Sequence, residues 1–282
     1  MVRSLIVLLA LARRFARLDL KYKFELGVDA MLLAANIVGF GLLGYFVVSS
    51  NAELVDYPYY VFLLAGILYW TVVASGFNSG IAALREEAEK GTIGFLLSNG
   101  VSPAVITVSR MAVSTLEAVV VASSLALPSI YLLSGGLYPK LSLSLESLAK
   151  LALAIALPWA FMASIAISLT AVQLVFKRIG GLAGAVQYSL GVASGLYFPV
   201  EAVPIAGWAL RGLPTAIGMS AMREFVVYGE VRSLDVSLPS ILTPLTPAWS
   251  LTFIPLAALA TSLLILSRVE RLTMRWGTIE QY

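Results

Sequence analysis

The chain has 282 residues, of which 59% are hydrophobic and only 12% are charged, with a formal net charge of +3. Soluble domains carry about 25% charged residues, so this composition excludes an ordinary soluble globular protein and favours one that is surrounded mainly by lipid. The chain contains neither cysteine nor histidine, which excludes disulfides, thiolate metal sites and histidine-based catalysis.

The N-terminal segment, residues 1–27, predicts an amphipathic helix that lies flat at the membrane interface. Basic residues recur every four positions from Arg13 to Lys21. Leu11 and Phe15 follow the same helical spacing beside them, so the segment has one basic and one apolar face. A secretory signal peptide is disfavoured because the apolar stretch is short and two arginines follow it directly.

Six apolar runs are close to the roughly 20 residues that a helix needs to cross a membrane. Their approximate bounds are 28–50, 58–83, 105–133, 147–174, 179–198 and 248–267. The sequence therefore predicts an all-α integral membrane fold. In this fold the N-terminal interfacial helix is followed by a six-span transmembrane domain over residues 28–282.

The distribution of Lys and Arg predicts the orientation of the chain, because these residues accumulate on the cytoplasmic side of membrane proteins. With the N-terminus inside, 14 of the 19 basic residues lie on the cytoplasmic side and 5 on the outer side. The sequence therefore predicts a multi-pass protein of the cell (plasma) membrane with both termini in the cytoplasm.

The most densely charged stretch, residues 85–98, lies between the second and third spans and reads REEAEKGTIGFLLS. The second span is predicted to leave the membrane as a helix whose acidic face is solvated. Gly91 is a natural stop for that helix. Thr92 can then cap a short helix over about 93–98, and the Asn99-Gly100 pair ends it.

This short helix is expected to expose Phe95, Leu96 and Leu97 to the cytoplasm. Exposed apolar side chains bordered by charge usually mark a docking surface. Alternatively, the short helix lies against the lipid headgroups and the charges are merely solvated; the residues alone leave both interpretations open. Ser102 followed by Pro103 predicts the start of the third span.

Glu117 is the one ionisable residue well inside a predicted span, where a charge costs about 2.5–3.5 kcal/mol on insertion scales. Arg110 lies seven residues earlier, about 10 Å along the helix axis, so the two side chains are not expected to pair directly. We expect Glu117 to contact another span or a water-filled crevice. A proton relay would normally need several such residues.

The fifth predicted span is rich in glycine. Its pairs Gly180/Gly184 and Gly191/Gly195 have the small-xxx-small spacing at which helices approach closely. This spacing fits packing within one subunit as well as packing between two. Half of the 12 prolines fall within 199–247, so this apolar segment should form short re-entrant or outer-face helices that dip into the outer leaflet or cover a pore.

Two stretches resemble known motifs. The stretch EKGTIGFLLSNGVS followed by Arg110 resembles the cytoplasmic loop of the membrane subunits of type-2 ATP-binding-cassette exporters, and SGLYFPVEAVP at 194–204 resembles the exit of that family's fifth span. The resemblance implies a coupling helix that contacts a separate ATPase. The candidate coupling residues are Glu87, Glu89, Gly91, Thr92, Phe95, Leu96 and Leu97. The candidate outer-face motif consists of Gly195, Phe198, Pro199, Pro204 and Arg223.

The resemblance also implies that the second and fifth spans line a substrate path at the axis of a dimer. The candidate path-lining residues are Tyr69, Trp70, Asn78, Gln187 and Tyr188. The chain would then be a transport subunit rather than an enzyme, working with a second copy of itself or a paired permease. It would bind no cofactor, because none of its lysines follows a glycine as a phosphate loop requires. ATP and Mg would act through the partner ATPase subunit.

Two other kinds of function stay open at this point. A motor-independent six-span channel or secondary carrier would use Glu117 as its ionic group, and a purely structural membrane scaffold would transport nothing. The partners expected in every case include membrane lipid. Nucleic-acid binding is not indicated, because the basic residues follow the topology of the spans.

Overall fold

The computed structural model describes residues 2–48, 57–140, 144–176, 179–203, 207–234, 238–244 and 246–276, and these residues form helices and turns without any strand. The helices of the N-terminal half are α1 (Val2–Lys21), α2 (Lys23–Val48), α3 (Tyr59–Glu89), α4 (Ile93–Ser98) and α5 (Pro103–Leu133). Those of the C-terminal half are α6 (Leu145–Phe176), α7 (Gly180–Ala193), a 3-10 turn (Val200–Ala202), α8 (Gly207–Arg211), α9 (Pro214–Tyr228), α10 (Leu238–Leu242) and α11 (Pro247–Trp276).

Among the described residues, five helices are long and apolar enough to cross a membrane: α2, α3, α5, α6 and α11. The predicted all-α, multi-pass membrane architecture is therefore confirmed. Helix α7, at the position of the predicted fifth span, has only 14 residues. Its length of about 21 Å is less than the roughly 30 Å of a bilayer core. The layout of six spans therefore stays a prediction.

Helix α7 is shorter than the predicted 179–198 because of the conformation of Gly195. The helix ends at Ala193, and Gly195 has a φ of +78°. A Cβ atom here would lie 2.6 Å from Cγ2 of Val200 and 2.9 Å from the carbonyl oxygen of Phe198. The left-handed turn at Gly195 therefore requires glycine, and it ends α7 before a full span is completed.

Helix α3 lies at the centre of the bundle, packs against α2, α5, α6, α7 and α9, and is buried along most of its apolar length. Glycine residues allow α5 to approach it closely. A Cβ atom on Gly76 would collide with Oγ1 of Thr115, and one on Gly80 would collide with Cγ of Met111. Small residues at such contacts are typical of helix association in membranes.

The proline-rich segment forms short helices, as predicted, but its longest helix is buried rather than superficial. Helix α9 packs against α3 and α6, with Met219, Ala221 and Val226 fully buried. Pro214 begins the helix and Gly229, with a φ of +77°, ends it. Helix α9 therefore fills the space between two spanning helices at one end of the bundle.

The first and last helices both contribute to one apolar cluster at the end of the bundle that contains α4, which we call the α4 end. Phe15 of α1 belongs to the same apolar cluster as Ile93 of α4 and Leu266 of α11. At the start of α5, the hydroxyl of Ser102 donates a 3.3 Å hydrogen bond to Glu270 of α11. The location of the two termini relative to the membrane stays a prediction.

Gly218 of α9 provides a test of this packing, because a Cβ atom there would collide with the hydroxyl of Tyr69 and the carbonyl oxygen of Ala154. We expect Gly218→Ala to lower the free energy of unfolding by about 1–3 kcal/mol, since the neighbouring helices must move apart. Gly39→Ala is the matched control, because nothing lies within 4 Å of a Cβ atom there and alanine favours a helix. Thermal unfolding in one detergent compares them, and equal midpoints would contradict the packing of α9.

Candidate functional site

The segment between α3 and α5 contains two glycine turns. Gly91, with a φ of +68°, ends α3, and the amide of Thr92 donates a 2.9 Å hydrogen bond back to the carbonyl of Glu87. Gly100, with a φ of +76°, ends α4 with the same type of backbone closure. The side chain of Ser102 then caps α5. The predicted order of helix, break, short helix, break and helix is therefore confirmed.

The carboxylate of Glu87 joins α1, α3 and the turn before α4. It accepts a 2.9 Å hydrogen bond from Arg14 of α1, with which it forms an ion pair, and a 2.5 Å hydrogen bond from the hydroxyl of Thr92. The Glu87 side chain is 0% exposed and the Arg14 side chain 36%. We call Arg14, Glu87 and Thr92 the clasp. A buried carboxylate with a cation and a hydroxyl as partners strongly favours this one arrangement of the three segments.

The clasp corrects two expectations drawn from the sequence. Glu87 is not on a solvated acidic face, because its partner Arg14 comes from a helix 73 residues away in the chain. Thr92 precedes α4 as predicted, but its hydroxyl donates to Glu87 instead of capping a free amide of α4. Glu89 does remain exposed, where it lies 3.4 Å from Arg85.

Of the three apolar side chains expected to be exposed on α4, one is exposed. Phe95 is 70% exposed. Leu96 and Leu97 are partly buried and pack against the apolar cluster that contains Ile93. The expectation is therefore wrong for the two leucines, because a helix that rests on a bundle turns one of its faces inward.

A cavity of about 680 Å³ opens between α1, the last turn of α3 and the start of α5. Its lining includes three basic and three acidic side chains, which are Arg14, Asp19, Glu86, Glu89, Lys90 and Arg110. The cavity and Phe95 lie at the same end of the bundle. A concave surface of mixed charge together with an exposed aromatic side chain has the composition of a protein docking surface.

Glu117 is half-buried on α5, close to charged residues of three helices. Its neighbours are the like-charged Asp19 of α1 and Asp29 of α2, and the oppositely charged Arg110 of its own helix. Arg110 also forms an ion pair with Asp19, and its guanidinium carbon lies 5.5 Å from the centroid of the Phe15 ring. The ion pair between Arg110 and Asp19 therefore holds α1 against α5, and Glu117 lies close to it.

At the opposite end of the bundle, Arg223 of α9 connects α3 with the exit of α7. Its guanidinium donates to the carbonyl oxygens of Phe62, Gly195 and Leu196 at 3.1, 2.8 and 3.2 Å, respectively. It also lies 3.4 Å from the centroid of the Phe62 ring. Arg223 is 5% exposed, so these groups help to compensate its loss of hydration. Phe198 and Pro199, two other predicted members of the outer-face motif, lie in the turn that follows α7. Pro204 lies outside the described residues.

The predicted path-lining residues occupy different environments. Tyr69 is 0% exposed in the core beside α9, so we do not assign it to a path. Trp70, Asn78 and Gln187 line one cavity of about 470 Å³ between α2, α3 and α7. Tyr188 is exposed on α7. Asn78 also lines a second cavity of about 580 Å³, formed by α3, α6 and α7.

The two cavities lie along one polar stripe of α3, which the sequence analysis missed. The stripe consists of residues at helical spacing, namely Thr71, Ser75, Asn78, Arg85 and Glu89. Beside it, α7 presents Gly180 and Gly184, where nothing lies within 4 Å of a Cβ atom. A polar stripe inside a bilayer is unfavourable unless water, a ligand or another subunit contacts it. The periodicity of polar residues within the second span is the signal that could have revealed it.

Comparison of the chain with protein-family models found no matching family, and comparison with curated proteins found no matching sequence. Neither comparison therefore identifies a relative whose activity could be considered for this chain. The features that bear on function are the clasp, α4 and the polar stripe, together with the two motifs that resemble those of type-2 ATP-binding-cassette exporters.

The clasp makes a specific prediction, because removal of Arg14 would leave Glu87 as a buried charge without its ion-pair partner. We expect Arg14→Ala to lower the free energy of unfolding by about 2–3 kcal/mol. Arg13→Ala, on an exposed face of the same helix, should change it by less than about 0.5 kcal/mol.

A double variant tests the origin of this loss. Addition of Glu87→Gln to Arg14→Ala should recover part of the stability, since a neutral amide needs no counter-charge. Thermal unfolding of the single and double variants in detergent measures the coupling. Strictly additive losses would contradict an ion pair between the two side chains.

Proposed function

We propose that this chain is the transmembrane subunit of an ATP-binding-cassette export system, driven by a separate ATPase subunit. The observation that carries the proposal is α4, a short helix between two membrane-spanning helices, closed by a glycine turn at each end, with Phe95 exposed. An exposed aromatic side chain on a short, well-anchored helix is suited to insertion into a pocket of a partner protein.

The clasp supports a mechanical role for α4. Helix α4 follows α3 after a tight turn, and Glu87 links that turn to Thr92 and to Arg14 of α1. A displacement applied at Phe95 would therefore be transmitted to α3 and α1 rather than being absorbed by a loose loop. Because α3 also carries the polar stripe, the same displacement would move one wall of both cavities.

In the proposed cycle, ATP and Mg bound by the partner subunits close the ATPase pair, and α4 moves with the ATPase that it contacts. Helix α3 then tilts and a central path opens to the outside, and hydrolysis resets the system. A second copy of the chain, or a paired permease, would approach along α3 and α7 and cover the part of the polar stripe beside Gly180 and Gly184. The open space beside Gly180 and Gly184 supports such an approach.

The proposal assigns the α4 end to the cytoplasm of a cell whose plasma membrane holds the protein. The exposed Arg13 and Arg17 of α1, together with Arg85 and Lys90 near α4, support this orientation. In the full six-span layout, α7 and the turn after it would act as the fifth crossing. Both termini would then be cytoplasmic.

A motor-independent channel or secondary carrier is the alternative, and it depends on Glu117 as its ionic group. Glu117 lies close to the like-charged Asp19 and Asp29 and to Arg110, which itself forms an ion pair with Asp19. An intramembrane carboxyl group in such surroundings is the feature on which this alternative rests. The alternative predicts transport that is lost in Glu117→Gln and independent of ATP.

Capture of the ATPase tests the proposal directly. Tagged chain is purified gently from its native membranes, and an associated chain is identified by its phosphate-loop peptide and by its ATP hydrolysis. We expect Phe95→Glu to reduce the recovery at least about 10-fold, because a charge would occupy the apolar contact. Leu137→Glu is the matched control, since Leu137 is also a large exposed apolar residue but follows α5 at the opposite end of the bundle. Absence of any ATPase with the wild-type chain would contradict the proposal.

A further inference from the structure

We infer that the cavity between α2, α3 and α7 binds a cationic amphiphile, a molecule with a positively charged head and an apolar tail. We call this cavity the lateral groove. Its volume of about 470 Å³ lies within the range of small-molecule sites. The identification of this molecule as the transported substrate rests on the proposed function, whereas the binding site itself does not.

The lining of the lateral groove changes from polar to aromatic along its length. Asp29 of α2 lies with Asn78 and Ser79 of α3 at one end. Phe40 of α2 lies with Tyr197 at the other, and the two rings are 5.7 Å apart. Helices α2 and α3 run in opposite directions, so the polar residues of both helices meet at the end nearer to α4. A head group is thus expected near Asp29 and a tail near Phe40.

The length of the lateral groove matches one leaflet of a bilayer. Asp29 and Phe40 are separated by eleven residues of α2, which corresponds to about 16 Å along the helix axis. This distance is about half of the roughly 30 Å hydrocarbon core. Asn36, between them, is exposed, so the groove is accessible from the surface of α2. A molecule that is itself oriented in a leaflet, with its head at the surface and its tail inside, fits this shape.

The charge of the lateral groove selects a cation. Asp29 contributes the only formal charge among the described residues that line it, and neither lysine nor arginine is among them. Arg110 of the neighbouring helix α5 forms an ion pair with Asp19 of α1. A cationic head would pair with Asp29, whereas an anionic head would meet a carboxylate in surroundings of low dielectric constant.

Polar side chains continue from the end near Asp29 into the middle of the lateral groove. Thr71 and Gln187 line the middle of the lateral groove and carry hydroxyl and amide groups that can bind a hydrated head. The hydroxyls of Ser75 and Ser79 also interact with Ser114 of α5, the latter at 2.6 Å, which holds this wall in place. The head-group region therefore combines one carboxylate with several hydrogen-bonding groups.

A photoaffinity experiment tests the inference without any ATPase. The purified chain is placed in phosphatidylcholine nanodiscs with a hexadecyltrimethylammonium probe that carries a diazirine on its tail. We expect labelling of peptides around Trp70 and Tyr197 that saturates and is displaced by unmodified hexadecyltrimethylammonium. A palmitate probe with the same diazirine should label these peptides at least about 5-fold less, because its head repels Asp29.

Three variants test whether the preference for the cationic probe depends on Asp29. Asp29→Asn should lower labelling by the cationic probe about 5-fold or more. Glu230→Gln removes an exposed carboxylate elsewhere and should leave it unchanged. Asp29→Glu, which keeps the negative charge at the same position, should retain it.

Equal labelling by both probes, or labelling by the cationic probe that is unchanged in Asp29→Asn, would each overturn the inference. Its failure is distinguishable from failure of the proposed function. Saturable labelling by the cationic probe without capture of an ATPase would support the binding site and contradict the ATPase-driven function. Capture of the ATPase without such labelling would support the ATPase-driven function and contradict the binding of a cationic amphiphile.

Discussion

Burial of α3 is the constraint on which the other features of this protein depend. Lipid tails are as apolar as the side chains of a spanning helix, so contacts between such helices must be stabilised by close packing rather than by the hydrophobic effect. Gly76 and Gly80 bring α5 against α3, and Gly218 brings α9 against Tyr69. Glycine is needed at these positions because any side chain would separate the helices.

Polar joints hold α3 at both of its ends. At the α4 end, Glu87 binds Arg14 of α1 and Thr92 of the following turn. At the other end, Arg223 binds the carbonyl oxygens of Phe62 and Gly195. Charge-assisted hydrogen bonds are strong where water is scarce, so α3 is tied to the first helix of the bundle and to its last buried helix. A helix fixed in this way can transmit a displacement from one end of the bundle to the other.

One face of α3 is not densely packed. The polar stripe and the lateral groove occupy the side between α2 and α7, where Asn78 contributes to both cavities. Asp29 adds a carboxylate at the edge of that face. Helix α3 is rigid and buried but has one polar, accessible face. Such a helix is suited to form a cavity wall that moves relative to a bound molecule. This arrangement also fits the proposal that the partner chain and the substrate meet this helix at different points.

The sequence by itself determined the positions of the long apolar helices and the breaks on either side of α4, because apolar length, glycine and proline act through local backbone and solvation effects. It did not predict that α7 ends at Ala193. It predicted α4 within 93–98 and the stop at Gly91, but it misplaced Glu87. Burial of that side chain depends on Arg14, which is distant in the chain and adjacent only in the fold. The same reason explains the inward orientation of Leu96 and the burial of Tyr69. Only the tertiary structure decides which face of each helix is covered, since that depends on neighbours from remote parts of the chain.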